Sequence, residues 1–176
     1  MIRSARLSLP ALMLGGLLLT GIALSAAPPA AAHDASAPIE VEADRLDLDD
    51  RAGTAVYTGE VDIRQGSLRV TGDRVEIQRN AAGELARAIA TGERAYLEQQ
   101  PDPDEPVVRG WGRTIIYHVA ERRVELIDRA ELHQRGDTFD GGYLEYFLDR
   151  RVVQARAEGE GVEGRQRIRM TLQPAQ

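Results

Sequence analysis

An alternation of side chains that recurs at a fixed offset constrains this chain more than any other feature. Ala55, Tyr57, Gly59, Val61 and Ile63 occupy odd positions, with Thr58, Glu60, Asp62 and Arg64 between them. Val124, Leu126, Ala130 and Leu132 repeat the pattern, each at the offset that separates Val124 from Ala55. Arg123, Glu125, Arg129 and Glu131 fill the places between. A period of two sends one set of side chains to each face of a sheet. The same offset relates Leu46 to Ile115, Leu48 to Tyr117, Gln65 to Gln134, Val70 to Phe139, Gly72 to Gly141, Val75 to Leu144, Glu76 to Glu145 and Ile77 to Tyr146. An internal repeat of meandering strands with one apolar face builds an elongated interior, not a compact catalytic cleft.

The 176 residues amount to one domain. Residues 1–32 read as a secretory signal peptide: Arg3 and Arg6 give a basic start, Leu7 to Leu24 carries no charge, and Ala30-Ala31-Ala32 precedes His33. The competing reading is an uncleaved anchor, since the uncharged run is long enough to span a bilayer. Residues 33–37 form a flexible lead-in, and 38–174 the folded domain. The sequence holds no cysteine, which excludes disulfides, thiol catalysis and thiolate metal sites. Without Arg3 and Arg6 the formal charge moves from −6 to −8. An acidic protein of this kind is not expected to take nucleic acid as its main partner. Every basic side chain is arginine.

Ile39, Val41 and Ala43 alternate with Glu40, Glu42 and Asp44 and start the first strand. Leu46 and Leu48 break the parity, so a bulge or kink belongs near Asp44-Arg45. Asp49 to Gly53 is a turn, and Thr54 to Arg64 the first long ladder. A turn at Gln65-Gly66-Ser67 leads to a short strand with Leu68 and Val70, and Gly72-Asp73 turns the chain into Val75 and Ile77. Asn80 to Gly92 has helix-forming composition. Its counterpart around Val152 to Ala157 starts β-branched, so both are assigned as strand. Pro101 to Pro106 divides the repeats, the second of which runs from Thr114 to Gly159. A closing strand carries Ile168, Met170 and Leu172 on one face and Arg165, Arg167 and Arg169 on the other. Turns every eight to twelve residues imply an all-β sandwich, jelly roll or barrel.

Catalytic constellations are thin. The only serines after residue 32, Ser36 and Ser67, lie in no Gly-x-Ser-x-Gly elbow. His33, His118 and His133 lack metal-ligand spacing, and His133 reads as a solvated surface histidine. Gly159 to Gly164 fits Gly-x-Gly-x-x-Gly but opens no helix, so it is a loop. Asp47, Asp49 and Asp50 suit a turn better than a calcium loop. Trp111, between Gly110 and Gly112, reads as a packing residue at a loop–strand junction. The arginine stripe is either a charged edge that discourages aggregation or a contact for an anionic headgroup.

Several segments taken together resemble one family. Pro38-Ile39-Glu40-Val41-Glu42-Ala43-Asp44 opens the domain, followed by Tyr57-Thr58-Gly59-Glu60-Val61, Gln65-Gly66-Ser67-Leu68 and Ala90-Thr91-Gly92. Ile116-Tyr117, Ala130-Glu131-Leu132-His133-Gln134 and Gly142-Tyr143-Leu144-Glu145-Tyr146 complete the set. Their order and spacing are similar to the OstA-like family, most of all its LptA group of periplasmic lipopolysaccharide-transport bridge proteins. The resemblance implies an elongated, twisted antiparallel β-jelly roll, two facing sheets open on one side, with no enzymatic activity and no cofactor. It implies lipopolysaccharide as ligand and head-to-tail contacts with further copies. It also implies contacts with an LptC-like inner-membrane protein and an LptD-like outer-membrane assembly protein. Nothing carries over to the proline- and acid-rich loop from Gln100 to Gly112.

The inward set expected to meet lipid is Ile39, Val41, Leu48, Tyr57, Val61, Ile63, Val70, Ile77, Leu97, Tyr117, Leu126 and Leu132. The expected oligomer edges carry Glu40 and Glu42 at one end and Arg165, Arg167 and Arg169 at the other. Two other classes stand beside this reading: a membrane-anchored LptC-like sibling, and a carbohydrate-binding jelly roll. Aromatics make up only 5% of the chain, which weighs against the latter.

Overall fold

A computed structural model of the chain describes residues 37–100 and 102–174. The expected signal segment and residues 33–36 of the lead-in lie outside them. Every regular element among the described residues is a strand. The strands are β1 (Glu40–Glu42), β2 (Arg45–Asp49), β3 (Thr54–Gln65), β4 (Leu68–Arg79), β5 (Leu85–Gln99), β6 (Val108–His118), β7 (Arg123–Gln134), β8 (Asp137–Phe147), β9 (Val152–Arg156) and β10 (Arg169–Thr171). They form one unclosed antiparallel sheet in the order β1-β3-β4-β5-β6-β7-β8-β10, with β2 also paired to β3 and β9 to β8.

Strands β3 to β8 are 11 to 15 residues long, about twice the usual length. The chain therefore does not turn at Gly72-Asp73: β4 runs through that point as one strand. What sits there is a bulge. Register shifts fall between Thr58 and Val61, Thr71 and Arg74, Thr91 and Ala95, Trp111 and Thr114, and Ile127 and Ala130. Each bends its strand, and lined up from β3 to β8 they crease the sheet into two leaves. One leaf contains Leu97 and ends in β1 and β10. The other contains Leu126 and ends in β2 and β9.

Two contacts establish that the leaves face each other. Gln134 and Tyr146 belong to opposite ends of the β7–β8 ladder, about 33 Å apart in a flat sheet. Yet Gln134 Nε2 donates to the Tyr146 hydroxyl at 2.7 Å. A Cβ on Gly110 would come within 3.0 Å of Leu126 Cδ2 on the opposite leaf. Glycine at position 110 lets the two backbones approach over that leucine.

The repeat is carried into three dimensions. β7 starts at Arg123 and ends at Gln134, the repeat counterparts of Thr54 and Gln65, where β3 starts and ends. The register shift between Ile127 and Ala130 likewise falls at the same place in its strand as that between Thr58 and Val61. The ambiguous stretch is strand from Leu85 onward, with Asn80 closing the preceding turn by accepting from Ala82 N and Glu84 N. Helix propensity loses here because Ala88 and Ala90 pair across the sheet with Tyr117 and Ile115. The kink near Asp44 is real: Asp44 N bonds to Thr58 O and Gly59 O between β1 and β2. Gly59 has φ +85°, and a side chain there would overlap the Asp44 carboxylate.

Two details differ from expectation. The closing strand spans only Arg169–Thr171. Gln166 is drawn to the crease instead, where its Oε1 accepts from Arg129 N at 2.8 Å and its own N–H bonds to Ala157 O at 2.8 Å. Arg165 and Arg167 therefore lie outside any strand. Trp111 is not at a loop–strand junction but inside β6. It lies between Tyr96 and His133, tilted against the first and edge-on to the second, at ring separations of 5.3 and 4.8 Å.

Candidate functional site

The inward faces of the leaves form a continuous apolar seam. Across the first leaf, Val41, Ile63, Val70, Leu97, Gly110, Leu132, Phe139 and Met170 are successive register partners. Across the second, Leu46, Tyr57, Val75, Ala90, Ile115, Leu126, Leu144 and Ala155 form one row. Leu48, Ala55, Ile77, Ala88, Tyr117, Val124, Tyr146 and Val153 form another. Alternation on either side of the crease produces these rows; β3 and β7 keep one inward parity throughout, whereas on β4, β5, β6 and β8 the bulge switches it, as between Val70 and Val75.

The structure divides the expected inward set into three groups. Val61, Ile63, Val70, Leu97, Tyr117, Leu126 and Leu132 belong to a single buried cluster. Val41, Tyr57 and Ile77 are half-buried and pack against it. Ile39 and Leu48 are 47% and 60% exposed. The middle of the seam is thus closed, and its apolar surface emerges at both ends. Leu46 joins Ile39 and Leu48 at one end, while Ile168, Met170 and Leu172 are about half exposed at the other. One small apolar cavity of about 20 Å³ lies between the leaves, against Ile39, Ile63, Val75, Ile77 and Tyr117. That is room for about one water molecule, so an alkyl chain fits at this point only if the leaves separate.

Of the expected edge residues, Glu40, Glu42 and Arg169 lie on the strands that end the sheet. Glu40 and Glu42 are exposed on β1, with Glu42 opposite Asp62. Arg169 on β10 lies opposite Asp140. Arg165, Arg167 and Arg169 converge with Arg94 and Arg129 around a concavity of about 500 Å³ that also holds Glu131 and Asp140. Arg94 pairs with Glu131 at 2.7 Å, and Arg165 lies 3.7 Å from Glu158. One end of the seam is therefore acidic and the other strongly cationic.

Charges on the outer faces pair across strands. The Asp62 carboxyl is held down to about 2 by hydrogen bonds from Arg69 and, less strongly, Arg64, at 2.7 and 3.0 Å. Glu131, its counterpart in the repeat, is also lowered: burial opposes its ionisation, but Arg94 and His133 outweigh that cost. His133 is thus not a free surface group; its Nε2 lies 2.7 Å from Glu131. Burial and then the Glu125 carboxylate push the Tyr143 hydroxyl up to about 12. Asp49 Oδ1 accepts from Arg51 N and Ala52 N, the turn expected of that aspartate cluster.

Two polar hubs were not legible in the alternation. Asp128 is buried at the crease, where it accepts from Gln166 Nε2 and from Glu163 N at 3.3 Å and lies 3.5 Å from Arg113 Nε. Glu105, in the loop between the repeats, takes arginines from two turns, Arg135 at 2.6 Å and Arg151. Their signal was faint: Asp128 stands where the first repeat has Gly59, and Glu105 has no counterpart within the domain.

Residues 40–152 match the family described as LptA/(LptD N-terminal domain) LPS transport protein. The chain is 43% identical over 143 residues to the lipopolysaccharide export system protein LptH of Pseudomonas aeruginosa, covering 80% of this chain and 82% of that one.

The chain belongs to this family.

A second relative of the LptA/LptD N-terminal family is lipopolysaccharide export system protein LptA of Escherichia coli K12, 29% identical over 143 residues, 79% of this chain and 76% of that protein. Among solved structures, LptH of P. aeruginosa superposes with a TM-score of 0.74 at 40% identity, covering 80% of this chain and 99% of that one. That protein is described as the LptA-homologous periplasmic component of the conserved lipopolysaccharide transport device. The family match runs from the first residue of β1 to the first of β9, and so contains the first copy of the repeat and the second as far as Val152.

Proposed function

We propose that this protein is a periplasmic carrier of lipopolysaccharide that forms part of a bridge between the inner and outer membranes. The observation that carries the reading is the apolar seam, continuous through the molecule and exposed at both ends. Membership in a family of lipopolysaccharide transport proteins supports it. Each methylene moved from water into an apolar site gains about 0.8 kcal/mol. An acyl chain of about a dozen methylenes thus gains on the order of 10 kcal/mol, less what it costs to separate the packed leaves. Sugars and phosphates stay in water along the open side. The protein acts without turnover: lipid leaves chemically unchanged, and the drive comes from a partner. Residues 1–32 direct export as a cleaved signal peptide.

Neighbouring copies join head to tail. β1 and β2 at one end and β9 and β10 at the other are edges with free backbone groups. Ile39, Leu46 and Leu48 with Glu40 and Glu42 complement Ile168, Met170 and Leu172 with Arg165, Arg167 and Arg169. Such a contact does not close on itself, so it extends the seam from copy to copy. The same two ends serve an LptC-like protein on the inner-membrane side and an LptD-like protein on the outer.

Photo-crosslinking in living cells tests the carrier reading. Probes at inward Tyr57 and Tyr117 should capture lipopolysaccharide, and probes at outward Glu60 and Arg129 should not. Capture only at the outward pair would overturn the reading.

A further inference from the structure

The ion pairs along the open side of the jelly roll differ between the two repeats. In the first repeat, Gln65 donates to Ala37 O at 3.2 Å, and Ile77 stands where the second repeat has Tyr146. Among the described residues no ion pair joins the two leaves there. In the second repeat two polar bridges cross the gap. The inner one is the Gln134–Tyr146 hydrogen bond. The outer one is Glu105. Its loop leaves and re-enters the Leu97 leaf, between the end of β5 and the start of β6. One carboxylate oxygen takes Arg135, from the β7–β8 turn of the same leaf, at 2.6 Å. The other takes Arg151, from the β8–β9 turn at the tip of the opposite leaf.

The loop is pre-folded for this role. Gln100 Nε2 donates to the carbonyls of Pro103 and Glu105, both at 2.9 Å, and Glu105 N bonds to Asp102 O at 2.9 Å. Ser67 Oγ ties Gln100 O to the neighbouring turn at 2.9 Å. Beneath Glu105 lies a slot of about 150 Å³ between the leaves, on the order of ten times what one water needs. Val108, Leu148 and Tyr146 form its floor, and Arg122 and Arg151 border it together with Asp102, Asp149 and Glu105 itself. An apolar floor under a rim of mixed charge suits an acyl chain attached to an anionic head once Arg151 is released from Glu105.

We propose that this slot is a side port for an acyl chain of an anionic amphiphile, and that the Glu105–Arg151 pair is its latch. The proposal rests on the carrier reading and adds how the cargo gets in. With the latch closed, a chain moves only along the seam. With it open, Arg151 and Arg135 exchange the Glu105 carboxylate for a phosphate of the ligand, since a guanidinium fork binds either oxyanion. The head is then held at the rim while the chain passes between the leaves.

Stopped-flow uptake of a fluorescent lipopolysaccharide by the purified protein tests this. Glu105→Gln keeps the shape but weakens two partly exposed ion pairs, so uptake should quicken about threefold to tenfold. Salt at 0.5 M, an experimental setting roughly five times that at which charges are felt over about 10 Å, should quicken the wild type relative to the variant. The chain has no cysteine of its own, so Glu105→Cys with Arg151→Cys can be joined by a short bis-maleimide. The joined protein should take up lipid several-fold more slowly than the same protein before joining. Equal rates for wild type, Glu105→Gln and the joined protein, with all three binding lipid, would overturn the port while leaving the carrier intact. A wild type that binds no lipopolysaccharide would overturn the carrier reading itself.

Discussion

The two copies of the repeat share their strands and their bulges but not their tightness. In β7, Val124, Leu126 and Asp128 are buried; their counterparts in β3, Ala55, Tyr57 and Gly59, are only half-buried. The cause is position in the sheet. β7 lies between the long strands β6 and β8, whereas β3 has only the short β1 and β2 on its outer side. The second copy also carries two acidic groups without a like residue in the first: Asp128 at the crease, where the first has Gly59, and Glu105 at the open side. A symmetric repeat has become a yielding half with exposed leucines and a firm half with a latch. A carrier needs both, because a seam closed everywhere admits nothing and one open everywhere would not hold its fold.

The largest expected break in this comparison comes from truncating equivalent core residues. Leu126 is fully buried, and Leu126→Ala should cost about 3–4 kcal/mol in urea denaturation. Tyr57→Ala, its half-buried counterpart, should cost about 1–2 kcal/mol, because less surface returns to water. Asp128→Ala comes next. It leaves Arg113 at the crease without its buried partner, and about 2–3 kcal/mol should be lost. Hydrogen exchange should then rise between Glu163 and Gln166, the segment Asp128 holds, but not in β3.

Much of this was legible from residues alone. Alternation identified the inward rows, and the constant offset that carries Ala55 to Val124 located the strands of the second copy. The crease was not legible. Gly72-Asp73 looks like a turn because glycine and aspartate serve turns and bulges alike, and only pairing with a neighbour separates the two. Nor was the shortening of β10. Arg165, Arg167 and Arg169 alternate like a strand, but one side-chain amide, Gln166, finds a better partner in buried Asp128. Glu105 stayed hidden for a related reason: its partners are 30 and 46 residues away, and no periodicity announces contacts between turns.

Smaller effects sharpen the comparison. Folding holds the Asp62 carboxyl at about 2, against about 3.9 for an unfolded aspartate. A carboxyl acidified by folding stabilises fully above the unfolded value, and that stability is lost as pH falls from about 4 through about 2. Its arginine partners are about half exposed, so screening reduces the contribution to about 1 kcal/mol. The stability difference between wild type and Asp62→Asn should therefore shrink over that window in acid titrations. The smallest effect concerns backbone. Gly53 and Gly66 have φ near +60°, and the repeat places Arg122 and Arg135 in the same conformation. Arg122→Gly relieves left-handed strain at some entropic cost and should raise stability by about 0.5 kcal/mol in thermal melts.

The central claim is that the seam is a lipid path that opens, and that it widens most in the yielding half. Spin labels at Arg64→Cys and Gln78→Cys stand on opposite leaves of the first repeat, and the cysteine-free chain makes the labelling specific. Their separation can be measured by pulsed electron resonance with and without lipopolysaccharide. The account predicts that the distance lengthens by several ångströms when lipid binds, and by less for a matched pair in the second repeat. Lipid binding with an unchanged distance in the first repeat would contradict it.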